Sequence, residues 1–170
     1  IQSLLAATAL VTLASLSPVI AQTPKDTVVM AKQIDDIITL DPGEAFEFSG
    51  VEVGANVYDK LVGVDIKNGN ALVADLATSW TVSPDNLTYT FKLRPGVKFH
   101  DGSALNADAV VWNVQKVLDK DALQFDASQV GVTASRMPTL RSARKVDDMT
   151  VELTTSEPDA FLPLNLTNLF

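Results

Sequence analysis

Cysteine is missing from the 170 residues, and histidine occurs once, at His100. The first absence excludes disulfides, thiolate metal sites, a cysteine nucleophile and a lipidated amino-terminal cysteine together. The second leaves no pair of imidazoles from which to build a zinc site. Basic residues are outnumbered, with 13 Lys and Arg against 21 Asp and Glu and a net charge of -8. Such a surface repels a phosphate backbone and argues against nucleic acid as a partner. No internal repeat is visible either, and a secreted structural or adhesive domain would be expected to show repeats or disulfides.

Charge is also absent from everything before Lys25. The stretch IQSLLAATALVTLASLSPVIAQ is dense in small residues, and Pro18 would break a spanning helix before its end. Val19-Ile20-Ala21 then supplies compact residues where a signal peptidase reads them. We read residues 1–21 as a signal peptide lacking its basic start, with cleavage after Ala21 and no stable membrane insertion afterwards. A membrane anchor is the alternative, although such spans usually run to about 20 strongly apolar residues. An exported chain without disulfides depends on core burial for stability.

Beyond the leader, strand and helix patterns alternate. Thr27 to Ile34 is a short β-branched run that predicts a buried strand, and Asp41-Pro42-Gly43 after it is a turn signal. Ser49 and Glu52 have capping-box spacing, and Val51, Ala55, Tyr58 and Leu61 recur at helical intervals, so a helix with one apolar stripe is expected over 50–61. Val62–Ile66 and Ala71–Leu72 flank the turn Asn68-Gly69-Asn70. ADLATSW predicts an irregular helical turn ending at Trp80. In LTYTFKL, Leu87, Tyr89, Phe91 and Leu93 alternate with polar residues, the period of a sheet with one buried face. Val97-Lys98-Phe99 resumes that alternation. Asn106 then caps a helix carrying Ala107, Val110, Val111, Val114, Val117 and Leu118 on one face. Residues 119–141 predict little regular structure, Lys145–Val146 and Thr150–Leu153 a hairpin, and Glu157-Pro158-Asp159 the start of a last helix.

Three places carry candidate chemistry. His100-Asp101 lacks the nucleophile and orienting framework that a triad requires, so Asp101 and Gly102 are read as shaping a corner between strand and helix. Asp35-Asp36 follows the first strand, where open α/β sheets often place ligands; the pair meets a cationic group or is a solvated loop charge. Phe46-Glu47-Phe48 lines an apolar slot holding a charge, or is the edge of a core.

An ordered series of segments carries a resemblance. TLDP at 39–42, VYDKLVGVD at 57–65, the block from Leu72 to Asp119 containing LRPGVKFHDG, and VDDMTVELTTSEPDAFL at 146–162 together resemble the extracytoplasmic solute-binding proteins of family 5, the peptide, dipeptide and nickel binding class serving bacterial ABC importers. The resemblance implies an α/β fold, here part of the first lobe of a two-lobed periplasmic-binding-protein type II fold, with an added mixed α/β subdomain rich in antiparallel hairpins. It places the first-lobe strand and helix in residues 22–62, the added subdomain in 63–155 and the start of the return to the first lobe in 156–170. It implies a non-enzymatic, monomeric, periplasmic component that captures a peptide or related small solute between two lobes and delivers it to a membrane permease. The ligand contacts it implies are Gln33, Ile34, Asp35 and Asp36 after the first strand, and Phe46 and Glu47 before the first helix. The paired acids hint at a cationic solute. No cofactor and no metal enters, since a lone histidine does not favour nickel. The opposing reading is an exported hydrolase with its catalytic residues elsewhere, for neither GxSxG nor HExxH occurs.

Overall fold

The computed structural model describes residues 23–168 of the chain, so the leader reading over 1–21 lies outside the described residues. The chain divides into two units, one ending at Gln33 and the other beginning at Ile34. In the first, residues 23–33 form no helix or strand, and Val28 and Val29 stand exposed. The buried strand expected over Thr27 to Ile34 is therefore not formed. β-branched composition alone does not hold a strand, because the backbone groups need a ladder, and no ladder among the described residues includes this segment.

The second unit is mixed α/β with antiparallel sheets. Helix α1 (Phe48–Val57) leads into β1 (Val62–Asp65) and β2 (Ala71–Ala74), which form a two-stranded sheet with Val62 opposite Ala74. Asp65 accepts from the amides of Lys67 and Asn68 in the turn, and Gly69 and Asn70 both adopt positive φ there. The main sheet has four strands: β3 (Ala77–Val82), β4 (Thr88–Leu93), β5 (Leu140–Asp147) and β6 (Thr150–Thr155), in the order β3-β4-β6-β5. Between β4 and β5 lie α2 (Ala107–Leu118), which packs on β5 and β6, and α3 (Ala127–Arg136); a short helix α4 (Leu162–Asn165) comes after β6.

The alternation read in β4 is the one observed. Tyr89, Phe91 and Leu93 are buried and join Val151 and Leu153 of β6 and Val110 and Val114 of α2 in one core. Asn106 caps α2 as expected, its side-chain oxygen accepting from the Ala109 amide at 3.0 Å. Trp80 sits opposite Phe91, with ring centroids 6.3 Å apart. The helical turn expected through ADLATSW is instead strand β3 from Ala77 onward. A register irregularity between Ala77 and Ser79 interrupts the two-residue period and hides the strand from pattern reading.

Two helices also differ from expectation. α1 is capped not by Ser49 but at Glu47, and it buries Ser49, Gly50 and Gly54 while Ala55 and Tyr58 stay exposed. Its close face is made of small residues: a Cβ on Gly50 would lie 3.3 Å from the Thr39 carbonyl oxygen. α3 occupies part of the region expected to be irregular, and what it buries is polar, Gln129 and Thr133.

At the corner after β4 only an isolated bridge, Lys98 to Ala104, continues the alternation. Asp101 accepts from both the amide and the hydroxyl of Ser103, and Gly102 has φ +88°. No neighbour crowds a Cβ there, so the backbone conformation alone requires glycine. Gly102→Ala is expected to lower the unfolding free energy by about 1 kcal/mol. His100→Ala, removing an exposed ring, should change it by less than about 0.5 kcal/mol. Urea denaturation of the two variants side by side checks both values.

Candidate functional site

The residues expected to touch a ligand fall on both sides of the unit boundary. Gln33 ends the first unit, exposed; Ile34, Asp35 and Asp36 open the second, also exposed. Within the second unit the structure brings Asp36 to the amino end of α1, where Oδ2 accepts from the Ser49 amide at 3.2 Å. Glu47 is the N-cap residue of the same helix, and its Oε2 accepts from the Phe46 amide at 3.2 Å. Both carboxylates thus lie where the helix dipole and unpaired amides favour negative charge. Phe46 projects beside them with 67% of its surface exposed.

Behind this surface lies a cluster centred on Asp41, from the TLDP segment. Its amide donates to Thr39 Oγ1 at 3.1 Å, and its Oδ1 accepts from the Gly43 amide at 2.9 Å, a closed Asx turn. Its Oδ2 accepts from Lys116 Nζ of α2 at 3.2 Å and from Gln129 Nε2 of α3 at 2.9 Å. Gly43 makes this approach possible, because a Cβ there would stand 2.2 Å from Gln129 Oε1. At the far end of α3, Arg136 donates to the Ala45 carbonyl at 2.9 Å and to the Pro42 carbonyl at 3.4 Å, with its guanidinium carbon 5.7 Å from the centre of the Phe46 ring.

Sequence reasoning missed Lys116, Gln129 and Arg136. A usable signal existed for α3: Asp126 and Gln129 have capping-box spacing, and Asp126 Oδ1 accepts from the Ser128 amide at 2.9 Å. The low hydrophobicity of ASQVGVTASR concealed it. No local pattern announces that Lys116, Gln129 and Arg136 converge on a turn about 75 to 94 residues away.

Charge balance at Asp41 reflects these bonds. Partial burial is the largest single influence and pushes its pKa up, but the Gly43 amide, the Lys116 ammonium and the Gln129 amide together outweigh it and hold the carboxyl below its ordinary 3.8. Folding therefore favours the ionised form. The associated stability is present above the ordinary value and is lost as pH falls through the lower folded value. Wild type should lose more stability than Asp41→Asn between pH 5 and pH 2. The check is a pair of urea midpoint curves against pH, and parallel curves would contradict it. Arg136 is pushed down by burial, yet a guanidinium stays charged at any physiological pH.

A cavity of about 660 Å³ opens beside this cluster, with Asp41, Pro42, Gly43, Lys116 and Gln129 among the residues that line it. Leu61, Leu76, Val110, Val114 and Leu153 form its walls, and Lys60, Lys98 and His100 also line it. Ile34, Asp35, Asp36, Phe46 and Glu47 do not line it, whereas Gly54 and Val57 of α1 and its C-cap residue Tyr58 do. Among the described residues, no group of three or more His, Asp or Glu is arranged to hold a metal ion. Nor is any described helix long and apolar enough to cross a membrane.

Comparison with known proteins defines the class. The model for bacterial extracellular solute-binding proteins, family 5 Middle, matches residues 71–170. The chain belongs to this family. The glutathione-binding protein GsiB of Pectobacterium atrosepticum is 35% identical over 130 residues, covering 75% of this chain and 23% of that protein. Di/tripeptide-binding protein 4 of Pseudomonas aeruginosa is 39% identical over 105 residues, covering 52% of this chain and 19% of the relative. The chain thus spans about a quarter or less of the curated relatives it matches. In fold it is similar to the dipeptide-binding protein of Pseudoalteromonas in complex with Met-Leu, with a TM-score of 0.69 at 23% identity, over 78% of this chain and 29% of that one. The family resemblance read from the sequence, and with it the periplasmic-binding-protein fold class, agrees with these matches. These relatives are binding proteins rather than enzymes.

Proposed function

We propose that the protein is the substrate-binding component of a bacterial ABC importer, capturing a di- or tripeptide or a related small solute and presenting it to a membrane permease from the periplasm. Membership of the family 5 solute-binding proteins carries the reading. The two relatives described bind peptides by name, glutathione and di/tripeptides. In this proposal residues 22–62 contribute first-lobe elements, 63–155 form the added subdomain and 156–170 begin the return to the first lobe. Two lobes close around the solute, and the ligand stabilises the closed state only by contacting both lobes better there than in the open one. The protein acts as a monomer, needs no cofactor and is exported by its leader. Gln33, Ile34, Asp35, Asp36, Phe46 and Glu47 are the proposed contacts on this lobe. A cationic group would approach Asp35 and Asp36, with one oxygen of Asp36 already engaged by α1.

Thermal unfolding of the full-length protein tests the proposal. A ligand at about 100 times its Kd that binds only the folded state adds about 2.7 kcal/mol of stability. Glutathione, leucyl-leucine, glycyl-glycine and lysyl-lysine are the probes, and at least one should raise the midpoint by several degrees. No shift with any of them, combined with hydrolysis of an ester or amide substrate, would replace the importer reading with the hydrolase one.

A further inference from the structure

The proposed ligand segment is held in place from a distance, by α3. Arg136 spans the turn before Phe46 with two donated bonds, to the Pro42 and Ala45 carbonyls, and lays its guanidinium over the Phe46 ring. Asp41, four residues before Ala45, is gripped at the same time by Gln129 of α3 and Lys116 of α2. Gln129 is 3% exposed, so the α3 side of this grip is buried, while the Asp41 side chain it holds keeps part of its surface open. A ring on a connecting segment would otherwise be free to swing. Here the guanidinium fork fixes the backbone on either side of the turn, and its positive face meets the negative face of the ring.

We infer that Arg136 is a positioning residue for ligand choice: it holds Phe46 so that the open side of the ring receives an apolar side chain of the bound peptide. The inference rests on the reading of Phe46 as a ligand contact. The chemistry of the ring favours an apolar group at this place. A guanidinium already lies over the ring at 5.7 Å, so a ligand cation stacked there would face a like charge through it. The carboxylate of Glu47 accepts from the Phe46 amide through one oxygen, which ties it to the backbone beside the ring. An apolar side chain meets no such like charge, and it removes from water a ring that is 67% exposed.

The experiment uses the full-length protein with Arg136→Met, Arg136→Lys and, as a control, Arg144→Met, whose partner Glu152 lies on β6. Calorimetry with leucyl-leucine and glycyl-glycine measures ligand choice, and hydrogen exchange over residues 42–48 measures the latch. In Arg136→Met, exchange in that segment should quicken about tenfold, and the Kd for leucyl-leucine should rise about tenfold while that for glycyl-glycine rises less than about twofold. Arg136→Lys keeps the charge but not the fork and should fall between; Arg144→Met should match wild type. Unchanged exchange in Arg136→Met would overturn the latch. Quicker exchange with an unchanged preference, or with both peptides weakened alike, would overturn the role in ligand choice. Should the wild type bind neither peptide nor any other probe of the thermal test, the importer reading fails first and this inference falls with it, a result visible before any substitution is made.

Discussion

Phe91→Ala is expected to lower the unfolding free energy by about 3–5 kcal/mol, the largest single-residue effect in the sheet. The ring is wholly buried. It sits in the middle of β4, opposite Trp80 on one neighbouring strand and Val151 on the other, so its removal strips contacts from three strands at once. The stacked Trp80 ring loses its cross-strand partner as well, a contribution of about 0.5–1.5 kcal/mol beyond burial. Collapse of the neighbours can recover only part of this, because both flanking strands are fixed by the ladder. Urea unfolding followed by tryptophan fluorescence checks it, with Thr81→Ala, exposed on β3, as a control expected within about 0.5 kcal/mol. A loss under about 1 kcal/mol for Phe91→Ala would mean that the core does not run through β4.

The second large effect is at Asp41. Asp41→Ala should lose about 2–3 kcal/mol, since the Gly43 amide, the Lys116 ammonium and the Gln129 amide lose an acceptor together. The value stays below that for a fully buried pair because the Asp41 side chain is 41% exposed and water can replace part of what is lost. Gln129 retains Asp126 Oδ2 at 3.1 Å, which further limits the damage. The shared hydrogen bond should make the two sites couple: Asp41→Ala and Gln129→Ala combined should cost less than the sum of the two by about 0.5 kcal/mol or more. Strict additivity in a double-mutant cycle would show that the two side chains act independently. Gly43→Ala approaches the same cluster from the backbone side, forcing Gln129 Oε1 aside, and should reproduce part of the Asp41 loss.

Where local pattern and tertiary environment agree, the sequence reading agrees with the structure. β4 alternates because one face meets α2 and the core, and α2 shows its stripe because the same core lies on its other side. Asn106 caps α2 through a contact three residues long. The hairpin of β5 and β6 is legible from Asp147-Asp148 between Lys145-Val146 and Thr150-Val151-Glu152-Leu153, although β5 starts at Leu140, five residues before Lys145. The exceptions share a cause. β3 carries a register irregularity, α3 buries polar side chains whose environment lies far along the chain, and Thr27 to Ile34 has strand composition but joins no ladder among the described residues.

The candidate site divides along the same line. Asp36, Phe46 and Glu47 stand out by their place relative to the first elements, and the structure gathers them at the amino end of α1. That Asp36 also serves the helix could not be read locally, since its bond joins residues 13 apart. Lys116, Gln129 and Arg136 have no signature at all, because a hydrogen bond between distant residues leaves no periodicity in either segment.

Composition was enough to exclude thiol chemistry from this chain and spacing to place α2 and the β4 and β6 strands, while the resemblance of an ordered series of motifs named the family. The sequence could do so because those properties are decided within a few turns of chain or by the simple presence of a residue type. The packing of α3 against the Asp41 turn, and with it the geometry behind Phe46, was decided only in three dimensions, where polar groups far apart in the chain must find one another or lose their hydrogen bonds to burial.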